Sequence, residues 1–171
     1  MKEKIGRAQV LAAAAVLRKY KEGKAVLDKR IVSNEQWWKM RHWGEIGYEP
    51  DETRPQPASA WLFNSIANKH ADAMDNIPEP SVLPREQGDE ECARQLSLLL
   101  PAVLERCGYE KLYSDGWWYK LKNGTACQAV VWDPVLEDGR GDIAIRNIDI
   151  LNLFWQPGIK DLEESANLFY V

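Results

Sequence analysis

The sequence predicts an α+β fold, with N-terminal helices followed by a small, mainly antiparallel sheet. Three observations carry this. Apolar residues recur at helical spacing in the first part of the chain. β-Branched residues and turn signals concentrate after residue 126. The two kinds of segment scarcely interleave. With 171 residues, 45% hydrophobic and 28% charged, the chain is long enough for one domain and short for two.

The first helix is expected from about Lys4 to Lys21, with Ala-rich middle turns and a stripe through Ile5, Ala8, Leu11 and Ala15. Gly23 is expected to stop it. A second helix, from Ala25 to about Trp43, follows from Leu27, Ile31, Asn34, Trp38 and Arg41, which recur at steps of four, three, four and three. Ser33-Asn34-Glu35-Gln36 has the form of a capping box, yet the stripe crosses Ser33 in phase and favours one continuous helix. Residues 44–58 form a Pro-bearing loop, and Ser59 is expected to cap a third helix carrying Trp61, Leu62, Ile66, Ala67 and Met74.

Pro78, Pro80 and Pro84 make the stretch from Asp75 to Pro84 an extended crossing segment. Asp89 then opens a fourth helix with an acidic first turn, closed by Gly108, and Pro101 is expected to kink or split it near Leu99-Leu100. Tyr109 to Asn123 stays open on periodicity alone. Asn123-Gly124 suits a hairpin turn as well as a left-handed helix cap. Beyond it Cys127 to Trp132 is a strand, broken at Asp133-Pro134. Residues 137–141 turn, Ile143, Ile145 and Ile148 follow, and Pro157-Gly158 is a type II turn candidate before a returning strand at Asn167–Val171.

Charge is uneven. Residues 1–30 hold nine Lys or Arg against three acids, while the remaining 141 hold thirteen against twenty-three, within a net charge of −4. A basic start is a possible nucleic-acid contact; the solvated face of a helix explains it more simply. The acidic remainder argues against a DNA-binding surface over the whole chain. Cys92, Cys107 and Cys127 are an odd, widely spaced set that supports neither a zinc site nor a disulfide framework, and a reducing compartment is expected. The apolar run Val10–Leu17 is followed by Arg18-Lys19, which speaks against a signal peptide, and it is too short to span a bilayer.

No catalytic or metal-binding signature emerges, and neither a cofactor nor enzymatic activity is expected. Asp133, Asp142 and Asp149 suit turn-lining and strand-end roles. His42 and His70 suit packing within helices. No nucleophile elbow or phosphate loop occurs. The eight Trp cluster at Trp37, Trp38 and Trp43 and at Trp117 and Trp118. Filling a core or packing helix against sheet is one reading of them, and a place for some at a subunit interface is the other. Trp37, Trp38, Arg41, Trp117 and Trp118 are the candidates for packing between subunits.

Five stretches, in order, carry a family resemblance. They are "AQVLAAAAVLRKYKEGKAVLDKRI", "NEQWWKMRHW", "RPQPASAWLFNSIANKHADAMDNIPEPSVLPRE", "WWYKLKNGTACQAVVWDP" and "GDIAIRNIDILNLFWQPGIKDLEESANLFYV". Together they resemble the N-terminal portion of portal proteins of tailed bacteriophages, of the type found in phages and prophages of Gram-positive bacteria. The most specific are "KHADAMDNIPEP", a helix running into a Pro-bearing segment, and the final piece, a strand ending at an aromatic and a Pro before its return. Gln156 stands where many portals have Asp.

The resemblance implies one wing-like region over 1–171, comprising a helical arm at 1–43, helices with the Pro-rich crossing segment at 59–124, and a β-rich part at 126–171. It tips Tyr109–Asn123 toward a helix, and it implies a chain cut within a strand, before the stem and crown. It also implies a homo-oligomeric ring at the capsid vertex of the virion, a conduit for DNA packaging and ejection. Expected partners are the terminase motor, head-completion proteins and double-stranded DNA, contacted without sequence preference, and no membrane. Two alternatives stand beside it: a small DNA-binding or motor-adaptor module resting on the basic first thirty residues, and a non-functional prophage remnant. A metal-assisted hydrolase using Asp142 is the rival from enzyme chemistry.

Overall fold

A computed structural model describes residues 6–47 and 55–171; Ile5, and the part of the Pro-bearing loop at 48–54, lie outside them. The fold class holds: helices come first and short antiparallel strand pairs follow. The chain forms two compact units, one from Met1–Ser59 with Asp149–Val171, the other from Ala60–Ile148.

The first unit is built on α1, a single helix from Arg7 to Trp38. Gly23 does not stop it, because Gly23 is a contact point: a Cβ added there would lie 2.3 Å from Pro157 Cγ. The expected second helix is thus the continuation of the first, and Ser33 starts nothing. The inward stripe runs Tyr20, Lys24, Leu27, Ile31, Asn34, Trp38, all buried or half-buried, at steps of four, three, four, three and four.

The helix ends at Trp38, five residues before the expected Trp43. Met40, at φ 58, takes the left-handed position of a Schellman motif: Arg41 N–H donates to Gln36 O (2.8 Å) and Met40 N–H to Trp37 O (3.1 Å). No Gly or Asn marks this stop in the sequence. A side chain held left-handed costs about 1 kcal/mol, so Met40→Gly is expected to stabilise the first unit by about that much, read as a later thermal unfolding of this unit. A short helix, α2 (His42–Glu45), follows.

From Asp149 the chain makes a 3-10 turn at Ile150–Asn152, enters β3 (Leu153–Phe154), turns at Pro157-Gly158 with Gly158 at φ 86, and returns as β4 (Phe169–Tyr170). Leu153 pairs with Tyr170 and Phe154 with Phe169, antiparallel, as the returning strand was expected to do. Ile150, Leu153 and Phe154 are buried, and Phe169 meets Tyr20 edge-on with ring centroids 5.8 Å apart.

In the second unit α3 (Trp61–Met74) is capped at Ala60 without a side-chain bond, so Ser59 is not its cap. The segment after it carries no helix as far as the 3-10 turn at Gln87–Asp89, and Ser97 Oγ on α4 takes up both the N–H (2.9 Å) and the C=O (3.3 Å) of Val82. The fourth helix, α4 (Glu90–Arg106), runs unsplit through Pro101. Proline there removes one intrahelical bond without interrupting the helix. Gly108, at φ 62, ends it.

Tyr109–Asn123 is helix α5, capped by left-handed Gly124 with its N–H on Lys120 O at 2.8 Å. It contacts α3, α4 and β2 and so organises this unit. β1 (Cys127–Asp133) and β2 (Asp142–Ile148) pair antiparallel from Cys127↔Ile148 to Asp133↔Asp142. Their connection is left-handed at Glu137, Asp138, Gly139 and Gly141, and the Trp132 indole lies over Gly141 where a Cβ would come within 2.6 Å.

Candidate assembly surface

In the first unit, Lys24 is the most informative polar side chain. Its Nζ donates to Ile150 O (2.5 Å) and Leu151 O (3.2 Å). Asp28 Oδ1 lies 2.7 Å away, at ion-pair distance but off hydrogen-bond alignment. Nζ also sits 4.7 Å from the Phe154 ring centroid and 5.7 Å from that of Trp155. Burying an ammonium requires such a set of acceptors. Lys24 is thereby a strut that fixes the segment after Asp149 to α1.

Of the interface candidates here, Trp37 is exposed and stacks on His42 with centroids 4.9 Å apart and planes 16° from parallel. His42 in turn meets Trp43 at 5.4 Å. Trp38 is half-buried as the last member of the α1 stripe, and Arg41 is exposed at the N-terminus of α2. Residues 6–15 of α1 are exposed throughout, Leu11 to 62%, so the stripe expected through Ala8, Leu11 and Ala15 is not covered. Gln9 Oε1 accepts from the Gly6 N–H at 2.8 Å, which helps hold this uncovered end in helical form.

In the second unit, Trp118 stacks on His70 at 4.1 Å with planes 16° apart, and His70 Nε2 reaches both Ser114 Oγ (3.1 Å) and Ser114 O (3.2 Å). This ties α3 to α5, a packing role for His70. Trp117 is half-buried, edge-on to Tyr113 at 6.1 Å, with Lys120 Nζ 4.1 Å above its ring. Trp117 and Trp118 therefore lie on different neighbours, although adjacent in sequence.

The acids weighed as catalytic each have a local partner. Asp133 pairs with Arg146 across the hairpin, Asp142 with Arg106 at 2.7 Å, and Asp149 accepts from the Leu151 N–H at 2.9 Å. On α4, Arg94 and Gln95 hydrogen-bond the Glu91 carboxylate and hold its pKa below the ordinary value. That folded pKa is depressed, so this contribution is present above the unfolded pKa and is lost as pH falls through the folded one.

Large apolar side chains in open positions are what remains. In the second unit Trp61 is 80% exposed, Val130 70% and Trp132 63%, with Leu98, Leu99 and Val135 also open. In the first unit Leu168, Tyr170 and Val171 join Leu11 and Val26. Eight described residues in all are buried, and no large side chain is fully so. Sequence reasoning missed the β1 surface. Its signal was present, since Val130-Val131-Trp132 is three apolar residues in succession, which places apolar groups on both faces of a strand.

Among the described residues no helix is long and apolar enough to cross a membrane, and no group of three or more His, Cys, Asp or Glu is placed to hold a metal. Comparison with protein-family models, curated proteins and solved structures finds no match to this chain.

Proposed function

We propose that the chain is a structural subunit of a portal-type ring, contributing to the conduit through which a tailed phage packages and ejects its DNA. The supporting observation is the number of large apolar side chains left open in both units. Large apolar side chains left open in number are a mark of association surfaces, and a ring subunit covers them with its neighbours. The sequence resemblance supplies the kind of ring. On this reading the protein resides at the capsid vertex, where the terminase motor and head-completion proteins bind it, and it contacts double-stranded DNA through sparse charge without reading sequence. Electron microscopy of the purified chain tests it. Closed particles with a central opening are expected, and scattered particles of single-chain size would remove the reading.

One observation favours the DNA-binding or adaptor module as a second reading. The exposed stretch of α1 begins at Arg7 and is followed on the same helix by Arg18, Lys19 and Lys21. That reading predicts DNA binding by the chain that weakens steeply as salt rises. Absence of a mobility shift at low salt would exclude it.

A further inference from the structure

We infer that the second unit carries a groove for a proline-rich peptide in the polyproline II conformation, walled by Tyr109, Tyr113 and Trp117 of α5. The inference goes beyond the ring reading and does not depend on it, since it gives the subunit a docking place for a separate protein. Two hollows of about 350 and 400 Å³ share Tyr109 and Gln128 and so adjoin. The first lies along α5 as far as Lys120, and the second continues over Pro78, Pro80 and Leu104.

The three aromatic side chains stand one helical turn apart. Tyr109 and Tyr113 have ring centroids 6.0 Å apart with planes at 44°, and Tyr113 and Trp117 are 6.1 Å apart with planes at 70°. Rings so inclined leave notches between a face and an edge. Such a notch takes a puckered pyrrolidine ring, whereas successive nucleobases stack on parallel faces. Gly116, buried in α5 beside them, brings no side chain to fill the space. Gln128 is fixed in orientation: its Nε2 donates to Asn147 Oδ1 (3.0 Å), and Asn147 Nδ2 donates to Leu112 O (2.9 Å).

The polar groups select the ligand. Among the described residues nothing hydrogen-bonds the Tyr109 or Tyr113 hydroxyl or the Trp117 indole N–H, so the wall offers donors to a ligand. A polyproline II segment is the complement, because its carbonyls are unpaired and its prolines carry no N–H. Aromatic-lined grooves that read such segments exploit their preformed, low-entropy backbone. Charge sets the flanks. Lys120 is the charged side chain lining the first hollow and Glu79 the one lining the second, and neither forms an ion pair with another described residue. The ligand therefore carries an acidic residue at the Lys120 end and a basic one at the Glu79 end.

The test titrates the isotope-labelled full chain with hexaproline peptides bearing Glu at one terminus and Arg at the other, in either order, and follows the Trp indole N–H signals by NMR. The expected result is a shift of the Trp117 signal, assigned by its loss in Trp117→Phe, while the Trp61 signal stays in place. Tyr113→Phe keeps the ring, deletes one donor and weakens binding about fivefold, and Trp117→Ala weakens it about thirtyfold. Lys120→Glu reverses the charge preference, so that a peptide with Arg at both ends binds better than the original. An equal response to a Gly-Ser peptide of the same length and charge would overturn the inference, as would binding that Tyr113→Phe and Trp117→Ala both leave unchanged. A Trp117 shift with oligothymidylate and none with hexaproline would overturn it in favour of single-stranded nucleic acid. No Trp117 shift at millimolar peptide would remove the groove as a docking place and leave the ring reading standing. Circular dichroism confirms folding, and Tyr113→Phe, which removes one oxygen atom, decides the matter if Trp117→Ala misfolds.

Discussion

Gly23→Ala destabilises the first unit by about 2 kcal/mol, although replacing a glycine inside a helix by alanine ordinarily stabilises by about 1 kcal/mol. The reversal follows from one close approach. An alanine Cβ at position 23 falls 2.3 Å from Pro157 Cγ and 2.9 Å from Pro157 Cβ. Neither the helix backbone nor the pyrrolidine ring is the flexible end of a side chain, so the turn at Pro157-Gly158 has to move. That turn follows directly on Phe154 and Trp155, whose rings surround the Lys24 ammonium. Amide hydrogen exchange over residues 150–171 is the measurement, with exchange expected to quicken there while α5 is unchanged. Gly44→Ala is the control, since a Cβ at Gly44 meets nothing within 4 Å. Slower exchange in Gly23→Ala would show that the helix and the turn are not in contact.

Lys24→Met loosens the same segment by about 3 kcal/mol, the scale for removing one partner from a buried polar set. Methionine keeps most of the aliphatic stem and deletes the ammonium. Ile150 O and Leu151 O then lose their shared donor, and Asp28 loses its counter-charge. Asp28 is 31% exposed in its side chain, so water relieves part of the loss, which holds the figure near the lower end of the range. Lys21→Met is the comparison. Lys21 Nζ lies 5.2 Å from the Phe154 ring, and removing an exposed charge of that kind costs about 0.5 kcal/mol or less. Equal effects from the two substitutions would show that the carbonyl contacts of Lys24 contribute nothing.

The sequence made the order and type of most elements legible, because periodicity and turn chemistry act locally. The stripe from Leu27 to Trp38 is where the 3.6-residue period places it. The hairpin between β1 and β2 sits where Asp133-Pro134 and the glycines at 139 and 141 put it, and Pro157-Gly158 turns as its residue types require. The failures are tertiary. Gly23 reads as a stop until Pro157, 134 positions away in sequence, turns out to occupy the space beside it. The end of α1 is invisible because Met40 adopts a conformation usually reserved for glycine. Asn123-Gly124 was undecidable locally, since a hairpin and a helix cap both call for a left-handed glycine.

The candidate surface was legible only in part. Aromatic clustering pointed to Trp37, Trp38, Trp117 and Trp118, and their ring contacts are mostly local ones, with His42 for Trp37, Tyr113 and Lys120 for Trp117, and His70 for Trp118. Lys24 went unremarked because a lysine on a helix reads as solvated unless its acceptors are known, and these come from residues 150 and 151. Exposure of Trp61 is a property of what does not pack against it, which no local pattern records, whereas the apolar run Val130-Val131-Trp132 was there to be read.

Native mass spectrometry of the purified full chain, taken over rising concentration, tests the central claim most directly. Self-assembly through open apolar surface predicts species at integral multiples of the 19.6 kDa chain mass, growing with concentration toward one closed size. A single 19.6 kDa species at every concentration would contradict it.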